Sequence, residues 1–74
     1  MMQVSFNGEK FKAERKLCQL SQISLAEQAE TTERYLRDLE HGRKDNPSAA
    51  MVYRLSYALK IQMEDLMLVR EDEE

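Results

Sequence analysis

The sequence holds one cysteine, one histidine, one proline and two glycines in 74 residues. Cys18 has no partner for an internal disulfide, which fits a reducing cytoplasm. One Cys and one His cannot build a zinc site from those ligands alone. So little Gly and Pro excludes a Gly/Pro-rich disordered chain and a β-rich fold full of tight turns. No apolar run is long enough to cross a membrane. No basic stretch followed by an apolar one resembles a signal peptide. The sequence also offers no nucleophile–base pair, metal cluster or Gly-rich phosphate loop, so neither an enzyme nor a cofactor is expected.

What is present suits one small helical domain: 42% hydrophobic and 34% charged residues. A domain of this size buries only ~60% of the surface its unfolded chain exposes. The net charge is −3, but residues 71–74 are all acidic. Residues 1–70 carry eleven basic and ten acidic side chains and are close to neutral. Bulk charge therefore does not mark a nucleic-acid binder. Only local charge and motif can.

Residues 1–7 lack a helical period and are expected to form a loose arm or a short extended segment. Asn7 can cap a first helix from about Gly8 to Cys18, with Phe11, Arg15 and Cys18 on one face. On that face Cys18 is expected to be a small core residue rather than a redox switch. Ser21 can cap a helix from Gln22 to Ala29, with Leu25, Ala26 and Ala29 inward. Thr31 or Thr32 can cap a third, from about Glu33 to His41, with Leu36 and Leu39 inward. Gly42 would end it in the left-handed conformation. After a polar loop at Arg43–Asn46, Pro47 and Ser48 open a fourth helix, with Val52, Leu55, Ser56 and Leu59 inward. Tyr53 and Tyr57, four apart on it, are expected to pack. A fifth helix is expected over about Met63–Val69. The expectation is an all-α, compact five-helix bundle over residues 8–69, with an acidic, disordered tail at 70–74.

The ordered set Leu20-Ser21-Gln22-x-x-Leu25-Ala26-Glu27-x-Ala29, then Leu36-x-x-Leu39-Glu40-x-Gly42-x-x-x-Asn46-Pro47-Ser48, resembles the Cro/repressor-type (XRE) helix-turn-helix family. Gly8-x-x-Phe11-x-x-x-Arg15 upstream and Ala58-Leu59-x-Ile61-x-x-x-Asp65-Leu66 downstream extend the resemblance over about residues 8–68. It implies the lambda-repressor-like fold. It also implies a buried ion pair between Arg15 and Glu40, the alternative being two solvated charges. Gln19, Glu30 and Lys60 stand where many relatives have Gly. A non-Gly residue held left-handed there costs roughly 1 kcal/mol or a little more.

The resemblance further implies sequence-specific binding of double-stranded DNA by a small transcriptional regulator, a repressor of phage or mobile-element type. It places the third helix in the major groove. Thr32, Glu33, Arg34 and Asp38 would face the bases. Arg34 suits guanine, and Glu33 or Asp38 suits a cytosine amino group. Gln22, Arg37, Arg43, Lys44 and Asn46 would contact the DNA backbone, and His41 can touch a phosphate. The plain alternative is a solvated face on which Arg34 pairs with Asp38, four residues on. Met63, Leu66, Met67 and Val69 would form a homodimer interface, or else close the core. The alternative function is a protein-interaction module, such as an antitoxin or adaptor, which suits the neutral charge and the acidic Glu33 and Asp38.

Overall fold

A computed structural model of the chain describes residues 1–71. The element order is β1 (Met2–Phe6), α1 (Gly8–Leu17), α2 (Gln22–Gln28), α3 (Glu33–Glu40), α4 (Ala49–Leu59), a 3-10 turn at Met63–Leu66 and β2 (Met67–Glu71). No helix among the described residues is long and apolar enough to cross a membrane.

Local chemistry starts every α-helix. The side chains of Asn7, Ser21, Thr32 and Ser48 accept hydrogen bonds from the backbone N–H of Lys10, Ser24, Tyr35 and Met51, at 3.0–3.1 Å. Each satisfies a donor that the first turn leaves orphaned.

The helix ends also share one geometry. Gln19, Glu30, Gly42 and Lys60 all have positive φ, at 58°, 58°, 78° and 60°. The residue after each one donates to a carbonyl five residues back: Leu20 to Arg15, Thr31 to Ala26, Arg43 to Asp38 and Ile61 to Ser56. These are four Schellman terminations, and only one uses glycine. The other three hold a side chain in a strained conformation.

The helices close around one core, in which Phe11, Leu25, Leu36, Leu39, Leu55, Leu59 and Leu66 are fully buried. Ala26 is also buried, as expected where α2 crosses a neighbour closely. Gly8 opens α1 directly beneath the end of α3. A Cβ at that position would overlap the Leu39 carbonyl oxygen. The Phe6 ring meets Phe11 edge-on, with centroids 5.4 Å apart.

The five-helix expectation fails at the C-terminal end: the described residues form four α-helices and a two-stranded sheet. Residues 63–66 make a single 3-10 turn, opened by a bond from Gln62 N–H to the Asp65 carboxylate at 3.0 Å. Residues 67–71 then pair antiparallel with β1, with Val4 opposite Val69 and Phe6 opposite Met67. Met67-Leu68-Val69 carries no period that separates a helix from a strand, and the extended N-terminal segment provides a pairing partner. Arg70 and Glu71 belong to this strand rather than to a loose tail. The rest of the proposed tail lies outside the described residues.

Three further expectations change. Cys18 is exposed, because α1 stops at Leu17 and the chain turns through Gln19; its thiol donates to the Leu59 carbonyl at 3.6 Å. Tyr53 and Tyr57 are exposed and stack on each other at 6.2 Å rather than pack inward. Leu66 is fully buried and belongs to the core, not to an interface; Met63 and Met67 pack partly buried against that core.

Candidate nucleic-acid interface

The two helices of the motif meet along Leu25, Ala26, Leu36 and Leu39. This seam fixes α3 against α2 and leaves one side of α3 outward. At 3.6 residues per turn, Arg34 lies opposite the buried stripe of Leu36, Leu39 and Glu40, with His41 and Asp38 beside it. Thr32 and Arg34 are exposed at the helix start, and Glu33 is half-exposed. Arg34 has no ion-pair partner among the described residues, so its guanidinium fork is available.

The neighbouring charges are engaged. Arg37 pairs with Glu33 one turn earlier at 3.2 Å, both about half exposed. Asp38 does not pair with Arg34. Its carboxylate is mostly covered and accepts from Arg43 at 3.3 Å. Its backbone carbonyl also accepts the N–H groups of Arg43 and Lys44. Asp38 thus holds the loop after α3. Arg43, Lys44 and Asn46 are exposed on that loop.

Behind this face lies the buried ion pair. Arg15 Nε donates to Glu40 Oε2 at 2.6 Å, and a second guanidinium nitrogen donates to Oε1 at 3.2 Å. The third donates to the Leu20 carbonyl at 2.7 Å. Glu40 Oε1 also accepts from the Gln22 side-chain amide at 3.1 Å. Three helices therefore share one carboxylate, and Gln22 is oriented by it. An amide carries two N–H donors, so one remains for a ligand. Among the described residues, no buried side-chain polar atom lacks a partner.

An open cleft runs over this network, lined by Lys12, Lys16, Ser21, Gln22, Glu33 and His41, with Arg15 and Glu40 at its base. Lys12 and Lys16 were not among the sequence candidates. Their spacing of four on α1, flanking Arg15, is the signal that marks them. They add two cations beside α3 that a whole-chain charge count conceals.

Comparison with known proteins agrees with this geometry. The sequence profile of the helix-turn-helix family matches residues 11–66. The fold is similar to SinR, the master regulator for biofilm formation, solved in complex with DNA: TM-score 0.77, 30% identity, covering 80% of this chain and 94% of that one. The N-terminal DNA-binding domain of SinR from Bacillus subtilis gives TM-score 0.75 and 30% identity, over 80% of this chain and 86% of that one. The restriction-modification controller protein C.AhdI from Aeromonas hydrophila gives TM-score 0.75 and 29% identity, over 80% and 88%. No curated protein matches the sequence significantly. With its capped helix pair, its buried seam and a family profile spanning most of its length, the chain belongs to the XRE-type helix-turn-helix family.

Proposed function

We propose that the chain is a transcription regulator that binds double-stranded DNA sequence-specifically, and that it represses by occupying its site. The outward face of α3, with a free Arg34 opposite the buried stripe, carries this reading. The likeness to SinR, which is solved in complex with DNA, supports it.

In this reading α3 enters the major groove, and Thr32, Glu33 and Arg34 read base edges. Gln22, Arg37, Arg43, Lys44 and Asn46 contact the DNA backbone, joined by Lys12 and Lys16 across the cleft. We assign Asp38 to holding Arg43 rather than to reading bases. Both carboxylates, Glu33 and Asp38, disfavour wrong sites near the groove, and Glu33 alone is placed to accept from a cytosine. The protein acts as a homodimer on a two-fold site, with recognition helices about one DNA turn apart, ~34 Å.

Selection from a random duplex pool at low salt tests the reading. One enriched motif is expected, with affinity falling steeply as salt rises. No enrichment of any duplex would sink it. The second reading is a protein-interaction module. It draws support from the near-neutral charge of residues 1–70 and from the solved complex of SinR with SinI, another structure that this chain resembles.

A further inference from the structure

The two-stranded ribbon keeps one edge in a form that folded proteins usually guard against. In an antiparallel pair, alternate residues turn their backbone groups toward the partner strand and away from it. Asn7 N–H donates to the Leu66 carbonyl at 2.8 Å, one step beyond the Phe6–Met67 pair. By alternation Gln3 and Ser5 face β2, while Met2, Val4 and Phe6 turn outward. Phe6 is satisfied there, because its N–H donates to the Asp45 carbonyl at 3.2 Å. Among the described residues, no other backbone group bonds the outer side of Met2 or Val4.

Edge strands are usually protected by charge, by proline or by a bulge. β1 reads Met-Gln-Val-Ser-Phe and contains neither charge nor proline, and its register with β2 is unbroken. Met2, Val4 and Val69 share one face of the ribbon by its period of two and are 59%, 55% and 54% exposed. An isolated two-stranded sheet is marginal in water; here Phe6 and Met67 anchor one end of the ribbon to the core, while Met2, Val4 and Val69 at the other end stay exposed.

We infer that β1 pairs antiparallel with β1 of a second copy of this chain, about a two-fold axis at Gln3, giving a four-stranded sheet. This deepens the homodimer reading above and rests on it. The register follows from the groups on the edge. Centring on Gln3 sets Met2 opposite Val4 of the second copy, and Val4 opposite its Met2. Every outward N–H and carbonyl of these two residues then finds a partner. No charged side chain meets another, and the exposed valines and methionines of both copies form one continuous strip. The Asp45 bond at Phe6 closes the edge at its far end and blocks slippage in that direction. The other edge, on β2, is a poorer match. Glu71 turns its backbone outward there, so pairing a second copy about Val69 sets that carboxylate against Met67.

Sedimentation of the full chain tests the proposal, with a concentration-dependent dimer expected. Val4→Pro removes an outward N–H and leaves the β1–β2 bonds intact. With one hydrogen bond lost per copy, it is expected to weaken dimerisation by roughly tenfold or more, while the helical circular dichroism stays unchanged. Gln3→Cys in a Cys18→Ser background checks the register. Position 3 faces its own copy as a non-hydrogen-bonded pair, about 4.5 Å between Cα atoms, close enough for a disulfide. Ser5→Cys is the control, because those positions lie ~13 Å apart. Cross-linking at 3 and not at 5 supports the register. A dimer that resists Val4→Pro and cross-links no better at 3 than at 5 overturns the ribbon but spares the homodimer. A chain that stays monomeric at every concentration overturns both and leaves DNA binding to the pool selection.

Discussion

Arg15 and Glu40 lie twenty-five residues apart in sequence and meet between α1 and α3 through two hydrogen bonds, at 2.6 and 3.2 Å. The Glu40 side chain is almost wholly buried, and that of Arg15 nearly so. Taking both charges out of water costs several kcal/mol per ion before attraction and hydrogen bonds offset it. The pair therefore adds little net stability, yet neither partner can be lost alone. It also fixes Gln22 at the edge of the open cleft between α1, α2 and α3.

Removing one partner should accordingly cost far more than removing both. Arg15→Met or Glu40→Leu alone is expected to destabilise by about 3–5 kcal/mol, because a buried charge is left unpaired. The double variant should recover most of that loss. Urea denaturation of the three variants measures it. A double variant as unstable as the sum of the singles would contradict the account.

Gly8 is needed for space rather than for flexibility. Gly8→Ala places a methyl group on the Leu39 carbonyl oxygen, a backbone atom that cannot swing aside. Overpacking of this kind costs typically 1–3 kcal/mol. Thermal unfolding should show a lower midpoint, even though alanine is the better helix former. An unchanged midpoint would mean that α1 shifts freely along α3.

The three left-handed side chains at helix ends offer the opposite sign. Glu30→Gly and Lys60→Gly should each stabilise by up to about 1 kcal/mol, since glycine adopts positive φ without a Cβ clash. Each corresponds to a rise of roughly 4–8 °C for a domain this small. Gly42→Ala should act in reverse; a Cβ there meets open space, so the cost would come from φ alone. Calorimetry of all three separates backbone strain from packing.

On the proposed DNA face, the residues assigned to bases and those assigned to phosphates should respond differently. Arg34→Ala is expected to relax base choice at one position and cost about 1–3 kcal/mol on the preferred site. Lys16→Ala and Lys44→Ala should weaken all sequences about equally, each lowering the salt slope by about 1. Binding titrations on the selected and a scrambled duplex, at several salt concentrations, decide this. Equal effects on both duplexes from Arg34→Ala would remove it from the base-reading set.

Much of the helical frame was legible from residues alone, because the interactions that set it are local. Asn7 and Ser21 bond to backbone only three residues on, so residue type and position name them as caps; the same rule narrows the third cap to Thr31 or Thr32, and the structure selects Thr32. The seam of Leu25, Leu36 and Leu39 follows from helical spacing. Gly42 is marked as a left-handed helix end by its residue type, whereas Gln19, Glu30 and Lys60 are marked only by the family resemblance, as positions where many relatives have Gly.

Tertiary structure decided what local rules leave open. Asp38 has Arg34 one turn away, yet it bonds Arg43, because the loop after α3 folds back onto its carbonyl. Lys12 and Lys16 line the cleft beside Gln22 and Glu33 only once α1 packs beside α2 and α3. The segment Met67–Glu71 is a strand because Met2–Phe6, more than sixty residues earlier, is brought alongside it. Local periodicity selects a helix wherever one face must be buried. It cannot select a strand whose hydrogen-bond partner is supplied by the other end of the chain.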